Sequence, residues 1–398
     1  MPAVRNRIPA NVIVFGIVSF LTDVSSDMIY PLLPIFLTQY LGAAQGFVGL
    51  VEGFAESTAA FFTLLSGFWT DRLKDRSRLV LAGYSISSLS RPLVALAWHP
   101  WVVFFVRFAD RMGKGIRTSP RDALISDSVS PSSRGMAFGF QRTLDNAGAV
   151  TGPLLASLLL AYWIKDLRHL FALAAIPAVM AVTLIAAKVR EVLPSDRPLR
   201  SGKFQLKAPP GKLRIYLSIL FIFILSCSSD AFLILRAAQL GVSKPLLPIL
   251  WMVFNAIKAG TNIPLGMLSD RIGRRRVILM GWILYALVYV GFAWAHETWH
   301  VWALFIAYGF FFGFTEGSER ALLADFSGSG DRGQTFGWYY FVVGLGALPA
   351  SLLFGFIWQT AGPQSAFLIS AFISAIAACL LFLFLIFVPS ATLKRSSS

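Results

Sequence analysis

The sequence predicts an all-α membrane protein: twelve transmembrane helices in two pseudo-symmetric six-helix bundles, with both termini cytoplasmic. Three observations carry that expectation. Hydrophobic residues make up 56% of the 398 and charged residues only 14%, against about 25% charged in soluble domains. Apolar runs of about 18 residues or more, the length that reads as a membrane helix, recur along nearly the whole chain. Short motifs of the first half return in the second. A single soluble core rarely grows past about 300 residues, so one giant buried core is disfavoured.

The apolar runs place helices at roughly 10–40, 46–70, 78–97, 100–124, 134–161 and 168–188 in the first half. In the second half they fall at roughly 213–239, 245–269, 277–296, 299–324, 333–358 and 363–389. Arg5 and Arg7 precede the first run, which reads as an uncleaved start rather than a signal peptide. The connections alternate in charge. Twenty-four of the 35 Lys and Arg belong to the N-terminus, the tail and the even-to-odd connections, while the other side holds only Lys165, Arg168 and Lys244. The positive-inside rule then puts both termini in the cytoplasm and the chain in the cytoplasmic membrane as a multi-pass protein. The net charge of +15 is mostly this orientation signal, so no nucleic-acid partner is expected. The expected partners are a small-molecule substrate and the lipid bilayer.

One long polar, basic, Pro-containing segment divides the chain. The expected domains are an N-terminal bundle at 1–189, a cytoplasmic linker at 190–212 and a C-terminal bundle at 213–398. The halves match each other. SGFWTDRLKDRSRLVLAG at 66–83 matches PLGMLSDRIGRRRVILMG at 264–281. RDALISDSVSPSSRGMAFGF at 121–140 matches ERALLADFSGSGDRGQTFGW at 319–338. SSD ending at Asp27 matches SSD ending at Asp230. Two similar six-helix halves imply a substrate held near the midplane at their interface.

The GxxxDRxGRR-type element after the second helix of each half resembles motif A of the major facilitator superfamily. The second copy is close: Gly266, Asp270, Arg271, Gly273, Arg274 and Arg275. The first keeps Gly67, Asp71 and Arg72, but has Lys74 where glycine is usual, followed by Asp75 and Arg76. Two further elements are similar to the drug/proton antiporter branch. Arg111 with Gly115 resembles its motif B. Gly148, Gly152 and Pro153 resemble motif C, with Ala156 and Ser157 in place of two later glycines. YPLLP at 30–34 is similar to the proline pair in helix one of exporters. The resemblance implies a secondary transporter working by alternating access as a functional monomer, with no bound cofactor. Efflux by proton-coupled antiport is the leading expectation. The alternative is uptake or export of an anionic compound, such as a siderophore, organic acid or phosphorylated metabolite. Na⁺ coupling through the helix-one aspartates stays open.

The resemblance also implies a conformational latch made by Gly67, Asp71, Arg72, Arg76 and Asp127 and by Gly266, Asp270, Arg271, Arg275 and Asp325. In it the aspartates face helix N-termini, Ser130-Pro131 and Asp331 start helices five and eleven, and the arginines reach Asp127 and Asp325. Gly148 and Gly152, four apart, let a neighbouring helix approach closely before Pro153 bends helix five.

Charge inside the membrane costs at least about 2.5–3.5 kcal/mol per group and marks a functional cavity. Along helix four Arg107, Arg111, Lys114, Arg117 and Arg121 step by four, three, three and four, which is one stripe. Asp23 with Asp27, and Glu52 with Glu56, are spaced i,i+4, and Arg142 with Asp145 i,i+3. The N-terminal half is therefore expected to couple ions, through Asp27, Glu52, Glu56 and Asp145, with Arg111 as the competing cation. A static salt-bridge lattice is the alternative. Further cavity candidates are Asp23, Arg91, Arg107, Lys114, Arg117, Arg142, Asp230, Asn255, Lys258 and Glu316.

An enzyme is not expected. RMGKGIRTS lacks the spacing of a phosphate loop, and His296 with His300 has no third metal ligand in sight. Cys227 and Cys379 both sit in apolar runs and read as small core residues rather than a disulfide.

Overall fold

The computed structural model describes residues 9–70, 75–130, 133–189, 191, 208–326 and 332–387. Asp71, Arg72, Lys74, Pro131, Asp331 and most of the 190–212 linker lie outside the described residues. Among the described residues, ten helices are long and apolar enough to cross a membrane. In chain order α1 spans Ala10–Tyr40, α2 Gln45–Thr70, α3 Arg76–Leu96, α5 Arg134–Tyr162, α6 Leu167–Lys188, α7 Gly211–Gln239, α8 Leu246–Ile272, α9 Arg274–Trp294 and α10 Thr298–Phe326. Between α3 and α5 lies α4, Pro100–Asp127, a 28-residue helix too charged to rank with them. The last, α11, runs Arg332–Phe387 and is interrupted only at Gly362, where φ is 84°. Glycine adopts that left-handed backbone without strain, and Pro363 follows. The two helices expected at 333–358 and 363–389 are thus two limbs of one run.

Proline and polar residues shape several helices. Helix α1 tightens to a 3₁₀ turn over Tyr30–Leu32 at Pro31 and ends in a π turn over Phe36–Tyr40, because a proline ring removes a donor and crowds the preceding turn. Helix α3 likewise tightens at Arg91–Leu96 around Pro92. The unbroken helix expected at 213–239 is corrected: α7 consists of Gly211–Ser226 and Asp230–Gln239, parted at 227–229. Ser229 caps the second piece by accepting a bond from the Ala231 amide. That break puts Asp230 on the first turn of a new helix, where the dipole favours a carboxylate. Asp75 caps α3 in the same way. Its bonds from the Ser77 hydroxyl and the Arg78 amide hold its carboxyl below the ordinary range. Gly273, at φ 99°, forms the turn between α8 and α9, which accounts for the glycine of the second motif A.

Helix α1 packs on α5, and α4 on both α2 and α3; α10 packs on α8 and α9, and α11 on α7 and α9. The most extensive contacts between these groups are α2 with α11 and α5 with α8. Glycines set the close approaches. A Cβ at Gly148 would lie 2.5 Å from the Phe20 carbonyl oxygen, and one at Gly152 2.7 Å from that of Val24, so both motif C glycines press α5 onto α1. On the α2–α11 seam, a Cβ at Gly53 would lie 3.0 Å from Leu348 Cα, and one at Gly355 2.8 Å from the Gln45 carbonyl oxygen. The repeat is visible here too. Gly83 abuts Arg117 and Gly281 abuts Thr315, so both members of the contact recur 198 positions on.

The outer surface is apolar. Phe61, Phe105, Ile263, Leu287, Phe356 and Phe372 are all more than half exposed, as lipid-facing side chains are. Exposed Trp98, Trp101, Tyr162, Trp163, Trp294 and Trp299 gather at the odd-to-even connections, the pattern of an aromatic belt at a membrane–water interface. Cys379 is exposed on α11 and Cys227 half-buried at the α7 break, both as free thiols. The expectation of two core cysteines is corrected for Cys379, because its face of α11 points outward.

Gly148→Val or Gly152→Val should destabilise the protein by about 1–3 kcal/mol through overpacking, read as a lower melting temperature of the purified chain. Gly266→Ala, with nothing within 4 Å of its Cβ position, should melt unchanged.

Candidate transport cavity

Helix α4 carries its bases into the protein rather than toward lipid. Arg107 Nη2 stands 2.7 Å from Glu52 Oε2 of α2 and its Nη1 3.4 Å from Asp110 Oδ2. Arg91 of α3 donates to Asp110 at 2.6 Å, to the Thr22 carbonyl at 2.9 Å and to the Ser87 hydroxyl. Ser87 also donates to Asp110 at 2.7 Å. Arg107, Glu52, Arg91 and Asp110 are all buried. Every one is ion-paired, as burial demands. One turn on, Arg111 Nη2 meets Glu56 Oε1 at 3.1 Å, and the Glu56 side chain is 52% exposed to the cavity. Arg117 is buried with its guanidinium 4.0 Å over the Tyr84 ring. Arg121 turns away and pairs with Asp122 at 2.8 Å.

These helices enclose a cavity of about 410 Å³, contributed to by α1, α2, α3, α4, α5, α7 and α8. It brings together Asp23, Asp27, Glu56, Arg91, Arg107, Arg111, Lys114, Arg117, Arg142, Asp145, Asp230, Asn255 and Lys258 from the sequence-derived candidates. Glu52 sits behind Arg107, outside the lining. Asp27 Oδ1 accepts from Trp251 Nε1 at 3.4 Å, and Asp230 Oδ1 from the Tyr308 hydroxyl at 2.6 Å. The two SSD aspartates of the repeat therefore meet in one cavity. Neither they nor Asp23 have an ion-pair partner among the described residues.

Charges also bridge the two groups of helices. Arg142 Nη2 of α5 reaches Glu316 Oε1 of α10 at 2.9 Å and its Nη1 Asp145 at 3.5 Å. Glu316 also meets Lys258 at 3.5 Å and Arg320 at 3.1 Å. Toward the 41–45 connection, Lys244 donates to the Tyr40 hydroxyl at 3.3 Å and the Gly46 amide to Gln359 at 3.3 Å. Ser57 donates to the Gly344 carbonyl at 2.6 Å.

Two ion pairs hold the opposite ends within each half. Arg76 meets Asp127 at 2.7 Å and Glu191 at 3.2 Å. Arg274 meets Asp325 at 2.8 Å, and both its residues lie 198 positions after Arg76 and Asp127. The Major Facilitator Superfamily model matches residues 15–235 and 215–398. The chain belongs to the major facilitator superfamily. It is a multi-pass membrane transporter, not an enzyme. It is 35% identical over 379 residues to the uncharacterised MFS-type transporter MJ1317 of Methanocaldococcus jannaschii, covering 93% of this chain and 94% of that one. Similarity to the multidrug resistance protein MdtH of Cronobacter sakazakii is 31% over 135 residues, 34% of this chain and 33% of that one. Among solved structures, a mutant form of the nucleoside transporter NupG superposes with a TM-score of 0.79 at 13% identity, over 94% of this chain and 100% of that one. The human organic anion transporter MFSD10 does so with a TM-score of 0.66 at 18%, over 96% and 100%. At such identities these two share the superfamily fold alone.

Within the superfamily motif, Arg274 is the arginine in contact with Asp325, and Arg275 stands over the rings of Phe326 and Phe384. Asp270 is exposed and lies 3.8 Å from Arg274. Among the described residues, a Cβ at Gly266 would have open space around it and one at Gly67 would meet only Ser119, at ordinary distance. Glu191, Trp251, Tyr30 and Tyr308 escape a reading of the sequence. Trp251 and Tyr308 carry no charge to betray them in an aromatic-rich half, and Glu191 follows its helix in the linker.

Arg107→Met should destabilise the protein by about 3–5 kcal/mol, because Glu52 and Asp110 keep charge in a buried place. Adding Glu52→Leu should restore most of the lost melting temperature; a double variant no better than the single would refute pairing as the cause.

Proposed function

We propose that this transporter exports a small molecule across the cytoplasmic membrane in exchange for protons, by alternating access. In this reading the chain crosses the bilayer twelve times as a monomer, counting α4 and both limbs of α11, with both termini in the cytoplasm. The observation that carries it is a cavity at the meeting of the two helix groups, whose Asp27, Asp23 and Asp230 carboxylates are not committed to ion pairs among the described residues. Protonating such a group breaks no salt bridge. Protonating Glu52 would break its ion pair with Arg107 and leave that guanidinium only the longer contact to Asp110, so Glu52 serves the lattice and Asp27 is the better proton carrier. Glu56 opens onto the cavity opposite Arg111, where a proton and a substrate anion can displace one another. The partial likeness to MdtH supports efflux. The pairs Arg76–Asp127 and Arg274–Asp325 would latch one access state, and Arg142–Glu316 would part as the halves rock. Na⁺ instead of H⁺ at Asp23 and Asp27 is the competing coupling.

A second reading has its own support. Lys114 has no ion-pair partner among the described residues, and Arg117 Nη1 and Arg111 Nε lack hydrogen-bond partners. Unspent cationic donors suit an anionic compound, moved in either direction.

Purified protein in vesicles should accumulate substrate against its gradient when a pH difference is imposed, and Asp27→Asn should cut that flux about tenfold or more while remaining folded. Flux that only runs downhill at every pH difference, but is driven by a Na⁺ gradient, would reassign the coupling ion.

A further inference from the structure

We propose that the cavity is built for a zwitterion, with an amine end held by Asp27 and Asp230 and an oxyanion end held by Lys114, Arg111 and Arg117. This rests on the transport reading and names the substrate class of the same site. Most of the wall is already neutral in pairs: Arg91 and Arg107 with Asp110 and Glu52, Arg142 and Lys258 with Asp145 and Glu316, and Arg111 with Glu56. What remains is unbalanced in two places. On α4, Lys114 is exposed to the cavity without an ion pair among the described residues. Arg117, only 5% exposed, lines the cavity with an unpartnered Nη1. Arg111 Nε is unpartnered one turn before Lys114. Successive members are three residues apart, about 4.5 Å of helix rise, so one carboxylate or phosphate group can bridge Lys114 to either neighbour. Guanidinium and ammonium donors give such groups their strongest hydrogen bonds.

The opposite imbalance lies on α1 and α7. Asp27 and Asp230 accept bonds only from neutral donors among the described residues, Trp251 Nε1 and the Tyr308 hydroxyl. The Trp251 ring stands 5.0 Å from that of Tyr30, one face of which Arg107 already covers. An ammonium there would be held by the carboxylates through charge-assisted hydrogen bonds. Arg111, Lys114 and Arg117 on one side and Asp27 and Asp230 on the other line the same small cavity, so the two charge centres share one space. A bare anion there would sit beside uncompensated aspartates, and a bare cation beside uncompensated bases. A zwitterion satisfies both. The 410 Å³ volume equals roughly fourteen waters at about 30 Å³ each, room for an amino acid or a small dipeptide.

The test is equilibrium binding to the full chain in lipid nanodiscs, read by thermal shift. The probes are the twenty amino acids and simple dipeptides, followed by the amide and the N-acetyl derivative of the best responder. The zwitterion should bind about tenfold or more tightly than either singly charged derivative. Lys114→Gln should erase its advantage over the amide, and Asp27→Asn its advantage over the N-acetyl form. If a variant does not fold, the three-probe comparison on the unaltered protein decides. Equal binding of the amide or the N-acetyl form, or no shift from any probe, overturns the inference. Transport of the bound probe in vesicles separates the two claims: a zwitterion that binds but is never driven by an ion gradient defeats the transport reading alone, and a singly charged compound bound and driven uphill defeats this inference alone.

Discussion

The buried ion pairs of α4 are the constraint on which the rest depends. Arg107, Arg91, Asp110 and Glu52 cannot each be desolvated alone, since an isolated ion in low dielectric costs far more than a fold can spare. Their pairing requires α2 and α3 to stand on either side of α4, with α1 offering the Thr22 carbonyl to Arg91. Once that frame is fixed, the remaining charges of the stripe have one direction left, into the cavity. The lattice and the cavity wall are successive turns of a single helix: Arg107 and Asp110 are paired in the buried lattice, Arg111 pairs with the cavity-facing Glu56, and Lys114 and Arg117 have no ion pair among the described residues.

The chain's duplication distributes this unevenly. Both halves retain the pair at the basic end, Arg76 with Asp127 and Arg274 with Asp325, and both retain the glycine contact of Gly83 and Gly281. Only the first half carries a stripe of bases along its fourth helix. Where α4 has Arg107, Lys114 and Arg117, α10 has Phe305, Phe312 and Thr315. The second half fills its interior with aromatic rings such as the stacked Phe223 and Trp282, 4.2 Å apart. It therefore gives the cavity a few side chains only, Asp230, Trp251, Asn255 and Lys258, set against the charged wall of the first.

Much of this is legible in the sequence. The helical runs are fixed by apolar length, and the stripe on α4 by a spacing of three and four. The i,i+4 acids do fall near the bases, but spacing alone cannot separate Glu52, bound to Arg107, from Asp27, which has no ion pair. That depends on which helix neighbours which. The α7 break is hidden because Cys227, Ser228 and Ser229 neither charge nor punctuate an apolar run as proline would. The two copies of the motif differ by one residue at the turn, Gly67 and Asp71 lying 199 positions before Gly266 and Asp270, and beyond the turn the 198-residue register returns.

The glycine seam between α2 and α11 has a mechanical meaning. Interdigitated side chains resist a change of crossing angle, because each knob must leave one hole before entering another. At Gly49, Gly53 and Gly355 backbone lies against backbone and side-chain tips, with no knob to withdraw. Two helices meeting on such a surface can pivot while staying in contact, so the joint behaves as a plain bearing rather than a gear.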